Sequence, residues 1–423
     1  MFDYGLFKFN SKQEVLDKGT QYWNPDKIAF WQSAGIDLVV DKREGYFLYD
    51  MSGKRLIDLH LNGGTYNFGH RNPELVQSLK DALDHFDMGN HWFPSVARSA
   101  LAEALIKIAP GMLYAIFGAG GAEAVEIALK SARYATKRRK ILSIVKGYHG
   151  HSGLSVSTGD ERFSKIFLCD QPDVFIQVPF NDIAAIEQAL KSRDVAGLIM
   201  ETIPATYGFP MPQAGYLQAA RDLCTKYGTM YIADEVQTGL MRTGMMWGWQ
   251  AYGIQPDIMV TAKGLTGGLY PISACLVNEQ AGGWLKEDGA AHISTAGGSE
   301  LGCMVAFKVI EMLKRPEIIV NVHAVTTYME TAMVEMMAKH SDIFTGLRQK
   351  GVILGLEFSG HREGAVAVSR ALYEQGVWAI FSSLNKRVLQ WKPGLLLTPE
   401  LCEEIMQRFD AAMPRAREIM KAS

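Results

Sequence analysis

The 423-residue chain lacks the features that mark secreted, membrane-spanning and nucleic-acid-binding proteins. Its five cysteines lie far apart, without the close pairs of a zinc site or the even framework of a disulfide scaffold. Lys plus Arg number 43 and Asp plus Glu number 45, so the net charge of −2 offers no footprint for nucleic acid or an anionic membrane. The N-terminus shows no basic segment followed by an apolar run, and no stretch of about 18 apolar residues occurs. We therefore expect a soluble, cytoplasmic protein with reduced cysteines and no nucleic-acid or membrane partner.

Hydrophobic residues make up 48% of the chain, enough for a sizeable core. The length exceeds the size at which one core usually stops growing, which predicts two domains. Between Tyr114 and Thr266, apolar strand-like runs alternate with helical patterns, as is typical of a mainly parallel sheet with helices on both faces. The predicted strands are 114–117, 140–145, 196–200, 230–233 and 258–260, and the predicted helices are 122–134, 183–190 and 216–227.

The two ends of the chain predict a smaller α+β domain. Residues 46–58 have the pattern of a hairpin, with a Met-Ser-Gly turn between two β-prone runs. From Leu301 a long helical pattern is followed by strands within 344–358 and by a closing amphipathic helix over 399–421. We expect residues 1–62 and 311–423 to form the small domain, and residues 63–310 to form a large domain that carries the ligand site.

Two predicted strands lead directly to ionisable residues. The strand 230–233 is followed by Asp234, and the next strand leads to Lys263, so a carboxylate and an amine lie at the same edge of the sheet. In α/β folds that edge is where ligands bind. A lysine there can form a Schiff base with a carbonyl cofactor such as pyridoxal phosphate (PLP), and an aspartate can hold the pyridine nitrogen protonated. Three of the five residues after the lysine are glycine, which favours close backbone approach over ordinary packing.

Two further loops offer groups at this edge. Residues 118–121 form a glycine-rich loop that enters a helix, and backbone N–H groups at a helix N-terminus can bind phosphate, although such loops are also common turns. After the second strand, Tyr148 offers a ring that could stack on a planar cofactor. His149 and His151 have no nearby residues to complete a ligand set, so no metal site is predicted.

In their order and in their residues these motifs resemble the class III aminotransferases, the ω-aminotransferase family of PLP-dependent enzymes with fold type I architecture. The resemblance runs from about residue 45 to residue 311. It implies an α/β fold with a large, mainly parallel sheet between helices and a smaller α+β domain. The matching segments are Gly69-His70-Arg71-Asn72-Pro73, Gly121-Ala122-Glu123-Ala124-Val125-Glu126, Gly147-Tyr148-His149-Gly150, Asp234-Glu235-Val236-Gln237-Thr238-Gly239, Arg242-Thr243-Gly244, and Lys263-Gly264-Leu265 with Gly267-Gly268.

The resemblance implies roles around the cofactor ring. Lys263 would form the internal aldimine, and Asp234 would pair with the pyridine nitrogen. Tyr148 would stack on the ring, with Gln237 near the phenolic oxygen. The lysine would shuttle a proton during transfer of an amino group from an amine or amino acid. Cofactor as pyridoxamine would then pass the amino group to a 2-oxo acid, such as pyruvate or 2-oxoglutarate, in a ping-pong mechanism.

The resemblance also implies how the cofactor phosphate is held. The backbone at Gly120, Gly121 and Ala122 would bind it, helped by Thr295 from the neighbouring subunit, which makes a homodimer the minimal active unit. The family usually has a serine where this chain has Gly120, a change that removes a hydroxyl but keeps the backbone donors. Dimers that pair further into a higher homo-oligomer are left open.

The match is poorer where the family binds substrate. Ornithine- and GABA-type members carry an arginine for the substrate carboxylate, and this chain has Gln390 there, with Lys392 as a substitute candidate. Glu201 resembles the glutamate that gates that arginine. Tyr66 and Trp92 lie in loops that the family folds near the pocket mouth, which indicates an apolar or amine-bearing substrate.

Two other hypotheses are left open. Racemases, aminomutases and phospho-lyases share this scaffold, because the lysine and aspartate create a carbanion whose fate is set elsewhere. A catalytically silent protein that keeps the fold is the other, and the intact Asp234, Gln237 and Lys263 argue against it.

Overall fold

The structure is a computed structural model, and it describes residues 2–359 and 363–422. Within these residues, no helix combines the length and the apolar character needed to cross a membrane. The strands are β1 (Phe2–Asp3), β2 (Lys8–Phe9), β3 (Val40–Glu44), β4 (Phe47–Asp50), β5 (Arg55–Asp58), β6 (Tyr114–Gly118), β7 (Lys140–Ile144), β8 (Phe175–Val178), β9 (Val195–Glu201), β10 (Met230–Asp234), β11 (Ile258–Thr261), β12 (Ser273–Val277), β13 (Phe344–Lys350), β14 (Ile353–Phe358), β15 (Val377–Trp378), β16 (Ile380–Ser382) and β17 (Asn385–Trp391).

The α-helices are α1 (Lys12–Tyr22), α2 (Pro25–Ser33), α3 (Leu61–Gly64), α4 (Pro73–Leu83), α5 (Val96–Lys107), α6 (Gly121–Thr136), α7 (Gly153–Thr158), α8 (Glu161–Ser164), α9 (Ile183–Leu190), α10 (Tyr216–Tyr227), α11 (Trp284–Glu287), α12 (Glu300–Leu313), α13 (Pro316–Lys339), α14 (Gly364–Glu374) and α15 (Pro399–Ala422). Single 3-10 turns occur at Lys165–Phe167, Gly248–Tyr252 and Lys263–Thr266.

The largest sheet has seven strands in the order β6-β12-β11-β10-β9-β7-β8. β12 runs antiparallel to both of its neighbours, and the remaining pairings are parallel. All five predicted strands of this region belong to the sheet, and the three predicted helices are α6, α9 and α10. The prediction of a mainly parallel α/β sheet is therefore confirmed. β8 and β12 were not predicted, because each is a short apolar run without a helical pattern on both sides.

The large sheet is buried on both faces because its strands are apolar at successive positions. Successive side chains of a strand point to opposite faces. Ile232 of β10 packs in a cluster with Val125 of α6, whereas Tyr231 and Ala233 belong to the larger cluster on the opposite face. The polar residues at the strand ends, such as Asp234, are thus held on a rigid scaffold.

The two ends of the chain share a second, four-stranded sheet in the order β15-β5-β4-β3. The predicted hairpin is β4 and β5, and β15 from the C-terminal segment pairs with β5 in parallel. The C-terminal segment also forms an antiparallel sheet in the order β13-β14-β17-β16. The long helical pattern after Leu301 is two helices, because Pro316 begins α13 and cannot continue α12. A division after residue 310 would cut α12, and the predicted domain ranges stay a prediction.

Arg242 joins three parts of the molecule. Its buried guanidinium donates to Asn67 Oδ1 at 3.2 Å, to the Pro393 carbonyl at 2.8 Å and to the Val352 carbonyl at 3.1 Å. Burial lowers the pKa of Arg242 to about 10, so the group stays charged at neutral pH. A charged donor that binds carbonyls is stronger than a neutral one. The segment that follows β10 is thereby fixed to the N-terminal loop and to the sheet β13-β14-β17-β16.

Candidate active site

The carboxyl ends of β9, β10 and β11 place three ionisable side chains at one edge of the sheet. β9 and β10 pair in register, so Glu201 and Asp234 lie opposite each other, and Lys263 follows two residues after β11. All three line one cavity of about 560 Å³, a size typical of small-molecule and cofactor sites. The other lining residues are Asn62, Thr65, Tyr66, Ala119, Gly120, Gly121, Ala122, Tyr148, His149, Gly150, His151, Val236, Gln237, Ala262, Thr266, Gly268, Leu269, Tyr270, Pro271 and Ile272.

Lys263 lies at the wall of the cavity, against a glycine of the N-terminal loop. Its backbone is left-handed, with φ at 41°. A Cβ atom added at Gly63 would lie 2.9 Å from Lys263 Cε, so glycine leaves room for the lysine side chain. Burial lowers the pKa of the Lys263 amine, and the carboxylates of Asp234 and Glu201 oppose this shift. The amine is thereby closer to its uncharged, nucleophilic form than an exposed lysine.

Asp234 is buried and held by two donors. Its Oδ2 lies 2.7 Å from His149 Nδ1, and its Oδ1 accepts the Val236 N–H at 3.1 Å. His149 Nε2 is buried and has no hydrogen-bond partner among the residues that the structure describes. The sequence placed His149 in a matching segment and in a rejected metal site, but its contact with Asp234 was not predicted. The contact depends on the strand order β7-β9-β10, which no local pattern reveals.

Glu201 is buried beside Asp234 and accepts one backbone hydrogen bond on each oxygen. Tyr148 N–H donates to Oε1 at 3.1 Å, and Ala205 N–H donates to Oε2 at 3.0 Å. Burial raises the pKa of Glu201 to about 7, an effect that nearby His149 opposes and nearby Asp234 reinforces. Glu201 therefore changes its protonation state close to neutral pH.

The free energy of unfolding is expected to contain a term from Glu201 that decreases as the pH rises towards 7. The ordinary pKa of this carboxyl is 4.5 and its pKa in the folded protein is raised to about 7, so the folded state binds the proton more tightly. This stabilising term is fully present below the unfolded pKa of 4.5 and is lost as the pH rises through about 7. Thermal melts of cofactor-free wild-type protein and Glu201→Gln across this pH range test the prediction. The Tm of the variant should depend less on pH than the Tm of the wild type.

The matched control for this measurement is Glu335→Gln, which changes an exposed carboxyl on α13. Its Tm profile should follow that of the wild type. If Glu201→Gln also kept the wild-type profile, Glu201 would titrate in its ordinary range.

The glycine-rich loop after β6 forms the start of α6. Gly120 is the N-cap with extended backbone, and no side chain caps the helix. The N–H groups in the first turn of a helix have no acceptor within the helix. Nothing lies within 4 Å of the position that a Cβ atom would take at Gly120. Gly120, Gly121 and Ala122 thus present backbone donors to the cavity with open space beside them.

Tyr148 and Gln237 complete the polar and aromatic lining near Asp234. The Tyr148 ring is packed edge-on against His151 at 5.2 Å and Phe163 at 5.8 Å between ring centroids. Burial and the nearby Glu201 and Asp234 raise the pKa of Tyr148, so its hydroxyl stays protonated at neutral pH. Gln237 Oε1 is buried and has no partner among the described residues.

The N-terminal loop that follows β5 supplies another wall of the cavity. Tyr66 packs against His70, with ring centroids 4.0 Å apart, and against the backbone of Gly268, where an added Cβ atom would lie 2.2 Å from the Tyr66 ring. His70 Nε2 lies 2.8 Å from Asp58 Oδ2. His70 belongs to one of the matching segments, but its pairing with Asp58 was not predicted. Leu61 and Asn62 have strained backbones with positive φ, whereas Gly63 and Gly64, beside Lys263, adopt positive φ without strain.

Four predicted site residues lie outside the lining of this cavity. Trp92 is 65% exposed and lines a separate surface groove. Thr295 is exposed in the loop before α12. Gln390 at the end of β17 and Lys392 directly after that strand are buried neighbours, and Lys392 Nζ donates to Gln390 Oε1. The other predicted site residues, including Tyr66 and Glu201, all line this cavity.

The sequence and the fold of this chain both match known aminotransferases. The sequence model of the family described as aminotransferase class-III matches residues 31–413. An uncharacterized aminotransferase of Archaeoglobus fulgidus is 39% identical over 408 residues, which cover 96% of this chain and 95% of that protein. A transaminase from the marine bacterium Virgibacillus has a TM-score of 0.89 at 23% identity, with 96% of this chain and 99% of that chain covered.

An ornithine aminotransferase from Toxoplasma gondii, whose structure has partial occupancy of PLP at the active site, has a TM-score of 0.84 at 23% identity. The match covers 98% of this chain and 100% of that chain. The fold is therefore shared with solved aminotransferases along nearly the whole chain.

Proposed function

The chain is a class III aminotransferase with the fold of PLP fold type I enzymes, and we propose that it transfers an amino group from an amine or amino acid to a 2-oxo acid, pyruvate or 2-oxoglutarate, with pyridoxal 5′-phosphate as cofactor. The two half-reactions would follow each other in one cavity, in ping-pong order. The observation that carries the proposal is the presence of Lys263 and Asp234 in a single cavity at the carboxyl end of the large sheet. When bound, the cofactor supplies an electron sink for the negative charge that develops on the substrate carbon.

The residues present fit this cofactor. The buried Gln237 amide has an oxygen without a partner among the described residues, so it has capacity left for a bound group. We expect the N–H groups of Gly120, Gly121 and Ala122 to bind the phosphate, because the start of α6 offers free donors and the positive end of the helix dipole. These three residues carry no hydroxyl, so the backbone supplies their whole contribution.

Lys263 would bind the cofactor through Nζ and then move the proton at the substrate carbon. Its pKa is lowered by burial, which increases the fraction of uncharged amine available as nucleophile and base. The proximity of Asp234 and Glu201 limits that shift, so the amine keeps the ability to hold a proton between the two steps. Gly63 and the strained loop beside it fix the side-chain position.

Asp234 would hold a proton on the pyridine nitrogen. Val236 N–H and His149 fix its two oxygens, so the carboxylate needs no rearrangement when the cofactor binds. His149 acts through Asp234 as a positioning residue. Tyr148 would stack on the cofactor ring. Edge-on contacts with His151 and Phe163 hold the Tyr148 ring in place for this role.

The substrate side of the proposal rests on Tyr66 and Glu201, which line the cavity. Tyr66 offers an aromatic wall that its packing between His70 and Gly268 keeps rigid. We also propose a homodimer as the active unit, because Thr295 and Trp92 lie on the surface of one subunit and outside its cavity. In a dimer, Thr295 of each chain would help to bind the phosphate in the other.

The test is a single half-reaction. Purified protein loaded with pyridoxal phosphate is mixed with amines and amino acids, including ornithine, in the absence of any keto acid. We expect loss of the visible absorbance of the lysine-bound cofactor and stoichiometric formation of pyridoxamine phosphate with the productive donors. Formation of pyridoxamine phosphate with none of them, while a donor is racemised, rearranged or eliminated, would assign the chain to the alternative chemistries of this scaffold. Absence of the visible band in the loaded protein would refute the cofactor assignment.

A further inference from the structure

Gln390 and Lys392 are buried and hydrogen-bonded to each other. Gln390 lies near the end of β17 and Lys392 directly follows that strand, and the two residues are two positions apart, so their side chains extend to the same side of the chain. Gln390 Nε2 donates to the Ala205 carbonyl at 2.9 Å and to Ser382 Oγ at 3.1 Å. Gln390 Oε1 accepts a hydrogen bond from Lys392 Nζ. Both ends of the Gln390 amide are therefore used within the protein.

Lys392 lies in surroundings that disfavour the charged form of its amine. It is 2% exposed, and its Nζ lies 5.5 Å from the centroid of the Phe209 ring. Burial and the nearby charges of Arg242 and Lys263 hold the pKa of Lys392 well below its usual range, with Asp58 as the opposing charge. A lysine whose charged form is disfavoured makes a weaker ion pair with a carboxylate. Lys392 is therefore suited to hold Gln390 and poorly suited to bind a substrate anion.

The contacts continue from Gln390 to the wall of the cavity. The same Ala205 that accepts from Gln390 donates its N–H to Glu201 Oε2 at 3.0 Å. The other oxygen of Glu201 accepts the Tyr148 N–H at 3.1 Å. At the far end, Lys392 N–H donates to the Leu59 carbonyl at 2.8 Å. We call this chain of contacts, through Tyr148, Glu201, Ala205, Gln390 and Lys392, the hydrogen-bond line.

We propose that Gln390 and Lys392 are positioning residues, which act through Ala205 and Glu201 to fix Tyr148 at the wall of the cavity and do not themselves contact the substrate. The line joins the N-terminal segment and the C-terminal sheet to the loop after β7, so it couples the end segments of the chain to the cofactor site. The inference rests on the proposed function only in the role of Tyr148, since the contacts themselves involve no cofactor.

Glu201 makes the line sensitive to pH. Each of its oxygens accepts one N–H, so protonation converts one acceptor into a hydroxyl and weakens one of the two contacts. The ionisable groups that face Glu201 are His149 and Tyr148 from the loop after β7, Asp234 from β10, and Lys263 after β11. The hydrogen bonds of Glu201 to Tyr148 and Ala205 should therefore be weaker below neutral pH than above it.

Gln390→Met tests the proposal, because it removes both ends of the amide at similar side-chain length. Without its hydrogen bonds, the backbone amides of residues 146–151 and 202–209 should exchange about two- to tenfold faster, in cofactor-free and in loaded full-length enzyme. The dissociation constant of pyridoxal phosphate should rise by a similar factor. The kcat/KM for an amine without a carboxylate and for an amino acid should fall together, so that their ratio is unchanged.

Gln349→Met is the matched control. Like Gln390, Gln349 donates its amide to two acceptors, here the carbonyls of Thr326 and Gly351, and neither of these hydrogen bonds involves a residue of the hydrogen-bond line. This variant should leave exchange at residues 146–151 and 202–209, and cofactor affinity, at wild-type values. If both methionine variants increased exchange there equally, the effect would be general destabilisation and the proposal would be overturned.

Gln390→Arg separates positioning from substrate contact. If residue 390 faces a substrate carboxylate, arginine raises kcat/KM for carboxylate-bearing donors alone, and amide exchange is unchanged. Under our proposal, arginine at position 390 leaves Lys392 without its acceptor. Amide exchange at residues 146–151 and 202–209 should then rise, and kcat/KM should fall for the amine and for the amino acid alike. Should Gln390 variants fail to fold, Lys392→Met removes only the Oε1 contact and gives the same test. Because amide exchange needs no turnover, an inactive wild-type enzyme would refute the proposed function and leave this result standing.

Discussion

Lys263→Ala is expected to lower the rate of amino transfer by at least about a thousandfold, because the variant loses both the amine that binds the cofactor and the base at the substrate carbon. The visible absorbance of the lysine-bound cofactor should disappear as well. Both quantities are measured on the same loaded protein, with the best donor from the half-reaction panel. The cavity keeps its other lining residues, so some cofactor should still bind through the backbone at the start of α6.

Lys107→Ala provides the matched control, because it removes an exposed lysine on α5 that pairs with Glu103. Its rate and absorbance should equal those of the wild type. A thermal melt of each variant would show that Lys263→Ala remains folded. Turnover close to wild type in folded Lys263→Ala would refute the assigned role, whereas partial recovery on addition of a small primary amine would support it.

Asp234→Asn is expected to lower kcat by about a hundred- to a thousandfold while cofactor binding is largely kept. Asparagine has the same shape and can still accept the Val236 N–H, but it brings no negative charge to a pyridine nitrogen. The loss should therefore appear in the chemical step, measured as the single-turnover rate of the half-reaction at saturating donor. The dissociation constant of pyridoxal phosphate, measured on the same preparation, separates binding from chemistry.

Asp222→Asn, at an exposed position on α10, is the control for loss of one negative charge. It should change neither quantity. An Asp234→Asn variant that bound cofactor weakly but turned over at the wild-type rate once loaded would reduce Asp234 to a binding residue. The kcat of His149→Asn should lie between those of Asp234→Asn and Asp222→Asn, because this change alters only the group that positions Asp234.

The parts of the site that follow directly from strand ends were predictable from the sequence. Asp234 and Lys263 each come just after an apolar run, and the structure brings them into one cavity. The glycine-rich loop before α6 was also recognisable, because turn and helix-start signals are local. These predictions needed only the rule that parallel strands end at one edge of a sheet.

Contacts between distant segments could not be predicted in the same way. The His149–Asp234 contact requires β9 to lie between β7 and β10, and sequence periodicity does not specify strand order. The resemblance located Gln390 at a substrate position, but its burial depends on Lys392, Ser382 and the Ala205 carbonyl together. Thr295 does not line the cavity of the chain, so its role in phosphate binding stays a prediction.

The pairing of β15 with β5 has a consequence for synthesis of the protein. β5 is made early, whereas its partner strand β15 is made only after every strand of the large sheet. Until then one edge of the β3-β4-β5 sheet has unpaired backbone groups, which is a template for association with other chains. Closure of so long a loop also slows folding. Premature termination before Val377 should therefore yield aggregation-prone chains that depend on chaperones, even though every strand of the large sheet has already been made.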